Sequence, residues 1–162
     1  MDTLKIRVFP DVCLKKKAAK ISSVGEKEKK MLDEMAATMY LNSGVGLAAV
    51  QVGIDKQLAV IDVGTGLIKL INPEIIKCEG SQSEEEGCLS VPGVAVKVKR
   101  AKKVTVRFLN EEGLTVQVRA EGLLSRAMQH EIDHLCGILI IDRLNPIKKM
   151  FLKKKAPKAS RP

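Results

Sequence analysis

Between Glu26 and Leu41 the apolar positions fall at helical spacing. Met31, Met35 and Met39 recur every four residues, Leu32 and Ala36 widen the stripe, and lysines and acids take the other face. Glu26 and Glu28 suit the positive end of a helix dipole. Asn42-Ser43-Gly44 supplies a stop. The spacing therefore predicts a helix over 26–41 with its methionines in the core. Downstream the period changes to two. Gln57–Val63 and Leu67–Asn72 are expected strands, joined as a hairpin at Gly64-Thr65-Gly66, with Pro73 ending the second. Val94, Val96 and Val98 alternate with Ala95, Lys97 and Lys99, the pattern of a half-buried strand. Val104–Phe108 and Leu114–Ala120 alternate likewise around the turn Asn110-Glu111-Glu112-Gly113.

Helical spacing returns over about Gly122–Cys136, capped by Gly137. Ile138–Ile141 reads as a short buried strand, and Asn145-Pro146 as the start of a last short helix. Residues 1–24 read as a leader lying on the domain, with a short extended piece at Ile6–Phe9. Ser81–Gly87 is polar and acidic, hence a loop, and it leads into the turn Gly87–Gly93. Hairpins around few helices, without a βαβ rhythm, predict an α+β fold with mainly antiparallel sheet around the second long helix. A chain of 162 residues with no internal repeat or linker is expected to form one domain, residues 1–147, followed by a short basic tail, residues 148–162.

Charge adds a question about partners. The net charge is +9, so nucleic acid must be weighed. Only four aromatic residues are present, Phe9, Tyr40, Phe108 and Phe151, too few for the stacking platforms of a single-strand binder. Much of the excess is local: from Lys148 onward there are seven basic residues and no acid, which reads first as a solvated, frayed end. No sequence-specific nucleic acid and no membrane partner is expected, and the first seventeen residues carry no continuous apolar run of the secretory type. Cys13, Cys78, Cys88 and Cys136 are expected as free thiols with one thiolate ligand among them.

The chemistry concentrates in Gln129-His130-Glu131-Ile132-Asp133-His134-Leu135-Cys136-Gly137. Both histidines of the chain lie here, four residues apart and so on one helix face, with a glutamate directly after the first. Two such imidazoles can grip one metal ion, and the glutamate beside them is a candidate general base. A catalytic site of this kind has three protein ligands and an open position. The standard protease completions fail, since His134 is followed by no glutamate, and Ile140 stands where a third histidine would.

The third ligand is therefore sought upstream. Cys136 falls on another helix face, Cys13 sits in the leader as minor packing, and Cys78 reads as a small buried hydrophobe. Cys88, in a glycine-flanked turn, is the choice. A Cys-His-His set suits zinc or ferrous iron. Water on the open position has its pKa lowered to roughly 7, and Glu131 is placed to take and pass on its proton. Donors for a developing oxyanion are the Gln51 side chain and the Leu89 backbone N–H.

Three segments, Gly44-Val45-Gly46-Leu47-Ala48-Ala49-Val50-Gln51, Glu86-Gly87-Cys88-Leu89-Ser90 and Gln129–Gly137, resemble in order the signature motifs of the bacterial peptide deformylases. The resemblance runs from about Ile6 to Pro146. It implies a cytoplasmic enzyme, taken as a monomer, that removes the N-formyl group from nascent polypeptides beginning with formyl-methionine. It implies a metal on Cys88, His130 and His134, ferrous iron in the cell with zinc or nickel in preparations. It assigns Glu131 as base and acid, with Gln51 and Leu89 as oxyanion donors. Val45, Gly46 and Gly87 are expected to line an extended peptide by strand addition. Leu123 and Ala127 are expected to wall the methionine pocket beside Val45, with the stem of Arg126 alongside. Arg100 is expected to pair with Glu86 and brace the cysteine loop, and Asp133 to support the ligands from behind. Docking of the basic tail on ribosomal RNA is a further expectation. Two other readings stand beside this one: a basic ribosome- or RNA-associated protein with a structural metal, and an endopeptidase.

Overall fold

The computed structural model describes residues 2–155. Helix α1 spans Glu26–Leu41, as its stripe predicts, with Met35 and Met39 fully buried. Seven strands follow: β1 (Gly46–Ala48), β2 (Leu58–Ile61), β3 (Ile68–Glu79), β4 (Gln82–Cys88), β5 (Val91–Arg100), β6 (Lys103–Leu109) and β7 (Thr115–Glu121). Helix α2 covers Gly122–Leu135 and α3 covers Pro146–Lys155. Five strands form one sheet in the order β1-β2-β3-β6-β7, and β4 pairs with β5 in a second. Every strand pairing within the two sheets is antiparallel. Among the described residues no helix is long and apolar enough to cross a membrane.

Alternation along the strands explains why both long helices dock on the large sheet. Leu47, Leu58, Val60 and Ile71 face α1 with Leu32, Met35 and Met39. Their neighbours Ala48, Ala59, Ile61 and Leu70 face the other way, into a core shared with Ala127, Met128 and Leu135 of α2. Two alanines on that face, Ala48 and Ala59, leave room for α2 to lie close to β1 and β2. A third core joins β5 to the leader and the C-terminal turn through Val96, Val98, Leu14, Leu139 and Ile140.

Several elements depart from the sequence expectations. Pro73 does not end its strand. β3 runs on to Glu79, with its pairing to β6 irregular between Ile71 and Glu74, so the missing proline N–H breaks no regular ladder. Asn72 takes a φ of 51° there, and its side chain bonds both the N–H and the carbonyl of Ile21. Ser81–Gly87 is not a loop but most of β4, because β5 offers it a partner along its whole length. Ile138–Ile141 is not a strand: a 3-10 turn forms at Ile140–Arg143, and the Asp142 carboxylate accepts from the Leu139 N–H at 2.8 Å. Cys78 is exposed rather than buried. Two further 3-10 turns, Val12–Lys15 and Ala49–Val52, carry no periodic signal. The boundary expected at 147 falls inside α3, and residues 156–162 of the basic tail lie outside the described residues.

Candidate metal centre

Three elements converge on one cleft. The first is β1 with the 3-10 turn Ala49–Val52, which delivers Gln51. The second is the end of β4, which delivers Cys88 just before the two-residue turn Leu89-Ser90 into β5. The third is α2, which delivers His130, Glu131 and His134. The leader ties the first two together: the Arg7 N–H bonds the Gln51 carbonyl at 2.7 Å, and the Phe9 N–H bonds the Ser90 carbonyl at 2.8 Å.

The end of α2 is held sharply. Gly137 has a φ of 75°, its N–H bonds the His134 carbonyl at 3.0 Å, and the Ile138 N–H bonds the Asp133 carbonyl at 2.9 Å. That pair of bonds is a Schellman stop. The other side of the helix is anchored by Gln129. Its Oε1 accepts from the Ala101 N–H at 3.0 Å, and its Nε2 donates to the Ala101 carbonyl at 3.0 Å and to Ser125 Oγ at 3.1 Å.

The donor atoms of Cys88, His130 and His134 all lie within 4.8 Å of one another. His134 Nε2 stands 3.3 Å from Cys88 Sγ and 3.1 Å from His130 Nε2. His130 Nδ1 donates to the Glu86 carboxylate at 3.0 Å, which turns Nε2 toward the other two donors. Burial opposes charge on both rings. At His130 the Cys88 and Glu86 side chains outweigh it and push the imidazole up to about 10; at His134 burial prevails, and the ring is held well below its usual range. One cysteine sulfur and two imidazole rings thus meet at a single point. This donor set fits a divalent metal ion of the zinc or ferrous class.

Gln51 is 1% exposed, and its amide orientation is fixed by its own turn. Oε1 accepts from the Ala48 N–H at 2.8 Å, so Nε2 points at the Cys-His-His cluster, 3.2 Å from Ser90 Oγ and 3.6 Å from Cys88 Sγ. Glu131 is 3% exposed. Burial, and then the nearby Glu86, raise its carboxyl to about 7 against the pull of His130 and Arg100. Its Oε2 has no hydrogen-bond partner among the described residues. A buried carboxyl with a raised pKa and a free oxygen is suited to proton transfer near neutrality.

The cleft above these groups holds about 400 Å³ and is walled by Val45, Gly46, Gly87, Leu89, Leu123, Arg126 and Ala127. Every residue expected to wall the substrate is therefore on it. His134, Arg100 and Asp133 lie behind. Arg100 does pair with Glu86, and it also reaches Asp133. Sequence reasoning gave no role in the cleft to Ser43, Gly44 and Glu85, which complete the lining, nor any to Ser90 and Gln129. The last two stand inside the motifs, and that position was the only available signal. Arg143, which bonds Asp133 at 2.8 and 2.9 Å, carries no local signal at all.

Comparison with known proteins agrees with this geometry. Residues 3–150 match the polypeptide deformylase family. A peptide deformylase of Halothermothrix orenii is 54% identical over 146 residues, covering 89% of this chain and 95% of the relative. The crystal structure of a peptide deformylase from Legionella pneumophila superposes with a TM-score of 0.90 at 42% identity, over 95% of this chain and 93% of that one. One from Ehrlichia chaffeensis, in complex with actinonin, gives 0.93 at 35% identity over 96% of each chain. None of this supports the alternative of an RNA-associated protein with a structural metal. With sequence and fold matching over nearly the whole length, and the three motif segments meeting at one Cys-His-His cluster, the chain belongs to the polypeptide deformylase family.

Proposed function

We propose that the chain removes the N-formyl group from formyl-methionine at the start of nascent polypeptides, using Cys88, His130 and His134 to hold its metal. The observation that carries the reading is the convergence of those three donors with Gln51 and Glu131 at the base of one open cleft, His134 lying just behind its wall. In this reading the catalytic unit is residues 1–147, and every site residue comes from one chain, as suits a monomer. The substrate places the enzyme in the cytoplasm.

The formyl group enters above Cys88. Gln51 Nε2 and the Leu89 N–H donate to the carbonyl oxygen as it becomes negative. Glu131 takes a proton from the attacking water and returns it to the departing nitrogen as the C–N bond breaks, giving formate and a free amine. A divalent ion bound at the site supplies Lewis acidity to the carbonyl and lowers the pKa of water. Ferrous iron is the cellular ion in this reading, and zinc or nickel also suits the donors. Val45, Gly46 and Gly87 border the peptide backbone, while Leu123, Ala127 and the Arg126 stem wall the methionine side chain. The lysines of α3 and the residues after it are the proposed contact with ribosomal RNA.

The test is direct. Anaerobically purified protein is given formyl-Met-Ala and acetyl-Met-Ala, and free amine and formate are measured. Release from the formyl peptide alone, lost in Cys88→Ala, is expected. Metal-replete protein that yields no formate would sink the reading.

A further inference from the structure

Gly46 lines the cleft on the first residue of β1. A glycine there is usually explained by a turn that needs positive φ or by a ligand that must approach the backbone. The first explanation does not hold. Gly46 lies outside the left-handed region, in a strand whose partner is Ile61 on β2. Its absent side chain also has a definite direction. Along β1, Leu47 faces α1 and Ala48 faces α2, so Gly46, two residues before Ala48, shares the α2 face. The three atoms nearest a methyl group built on it all belong to Glu131: Cδ at 2.8 Å, Cγ at 3.0 Å and Oε1 closer still.

We propose that Gly46 is a positioning residue: its missing side chain is the seat in which the Glu131 carboxyl rests at the floor of the cleft. The inference builds on the catalytic reading of Glu131 given above. The geometry also says where a substitution would be relieved. The atoms met are the end of a side chain, not backbone, so the fold is free to stay while the carboxyl swings out of its seat. A displacement of about 1 Å at a reacting group can cost on the order of a hundredfold in rate. A residue that served only as a peptide contact would act on substrate binding instead.

The experiment uses metal-replete holoenzyme and a four-variant set: wild type, Gly46→Ala, Glu131→Ala and the double variant. Expected for Gly46→Ala are an unchanged metal content and Tm, a kcat lower by about a hundredfold, and a KM within about threefold of wild type. In the Glu131→Ala background, where no carboxyl remains to displace, the same substitution should change the residual rate by less than about threefold. Three results overturn the proposal: an undiminished kcat, a loss confined to KM, or equal losses in both backgrounds. Should Gly46→Ala fail to fold, its Tm against that of the double variant decides. Recovery on removing Glu131 assigns the clash to that carboxyl, and no recovery overturns the idea. This stability comparison stands even if the wild type releases no formate, so failure of the proposed activity and failure of the positioning role are told apart.

Discussion

Arg100 grips Glu86 through two parallel bonds, Nε to Oε1 and Nη2 to Oε2, each 2.9 Å long. Both side chains are nearly buried. Such a fork holds a carboxylate in one plane. Burial works against the charge on Glu86, yet Arg100 and His130 outweigh it and bring the carboxyl down to about 2. The carboxylate thus stays ionised and accepts from His130 Nδ1. Arg100 continues to Asp133, and Asp133 to Arg143. One chain of charges therefore links β4, β5, α2 and the C-terminal turn behind the ligands.

Replacing Glu86 by Gln keeps the shape but removes the charge that orients His130. Removal of such an outer partner typically lowers metal affinity by about 10- to 100-fold. Glu86→Gln is expected in that range while remaining folded, because Arg100 retains Asp133. Competition against a calibrated chelator measures it. An affinity equal to wild type would show that His130 needs no partner for its orientation.

Glu131 should trade stability for activity. Its folded pKa is raised from 4.5 to about 7, chiefly by burial. A raised carboxyl pKa means the folded state resists ionisation, so metal-free wild type loses stability as pH climbs from about 4.5 through 7. Glu131→Gln has no such group. At pH 8 the metal-free variant is expected to be more stable than wild type by about 3 kcal/mol, with the gap closing near pH 4. Its turnover should fall by about a thousandfold at unchanged metal content. Urea titrations at several pH values, beside metal analysis and formate release, check both halves.

Gln51→Ala removes the cap on the Ala48 N–H and, in the proposed reading, one oxyanion donor. Losing the donor is expected to lower kcat by about a hundred- to a thousandfold with little change in KM. Losing the cap costs about 1 kcal/mol of stability. Metal content should not move, since Gln51 Nε2 reaches Ser90 Oγ at 3.2 Å and Cys88 Sγ only at 3.6 Å, and is itself no ligand in the proposed site. A loss of bound metal in this variant would instead make Gln51 part of the framework that seats Cys88.

What could be read from the chain alone divides along physical lines. Helix α1 was legible because its stripe depends only on local spacing. The pairing of His130 with His134 was legible for the same reason, and the choice of Cys88 followed by excluding the other cysteines. Strand β4 was not, since Ser83-Glu84-Glu85-Glu86 has no apolar alternation and becomes a strand only through β5. Pro73 misled because a ladder irregularity can absorb it. The relation of Gly46 to Glu131 spans 85 positions and exists only once α2 lies on β1. Arg143 is hidden for the same reason: its partner is defined by a turn that no periodicity announces.

Asp142 offers a test of how firmly the C-terminal segment is tied down. Its carboxylate accepts from the Leu139 N–H and pairs with Lys15 of the leader and Lys149 of α3. Burial opposes the charge, but the two lysines and that N–H outweigh it and draw the carboxyl down from 3.8 to about 2. A depressed carboxyl pKa contributes stability that is present above about 4 and lost as pH falls toward 2. The group is partly open to solvent, which screens the pairs, so the contribution is about 1 kcal/mol rather than the full value of the shift. Asp142→Asn should therefore be less stable than wild type by about that amount at pH 7 and equal to it near pH 2. High salt should shrink the difference at pH 7, because both lysines are partly exposed. Denaturant melts at pH 7, 4 and 2 measure the difference; a gap that persists at pH 2 would mean that the lost cap on Leu139, not the lost charge, is what the substitution removes.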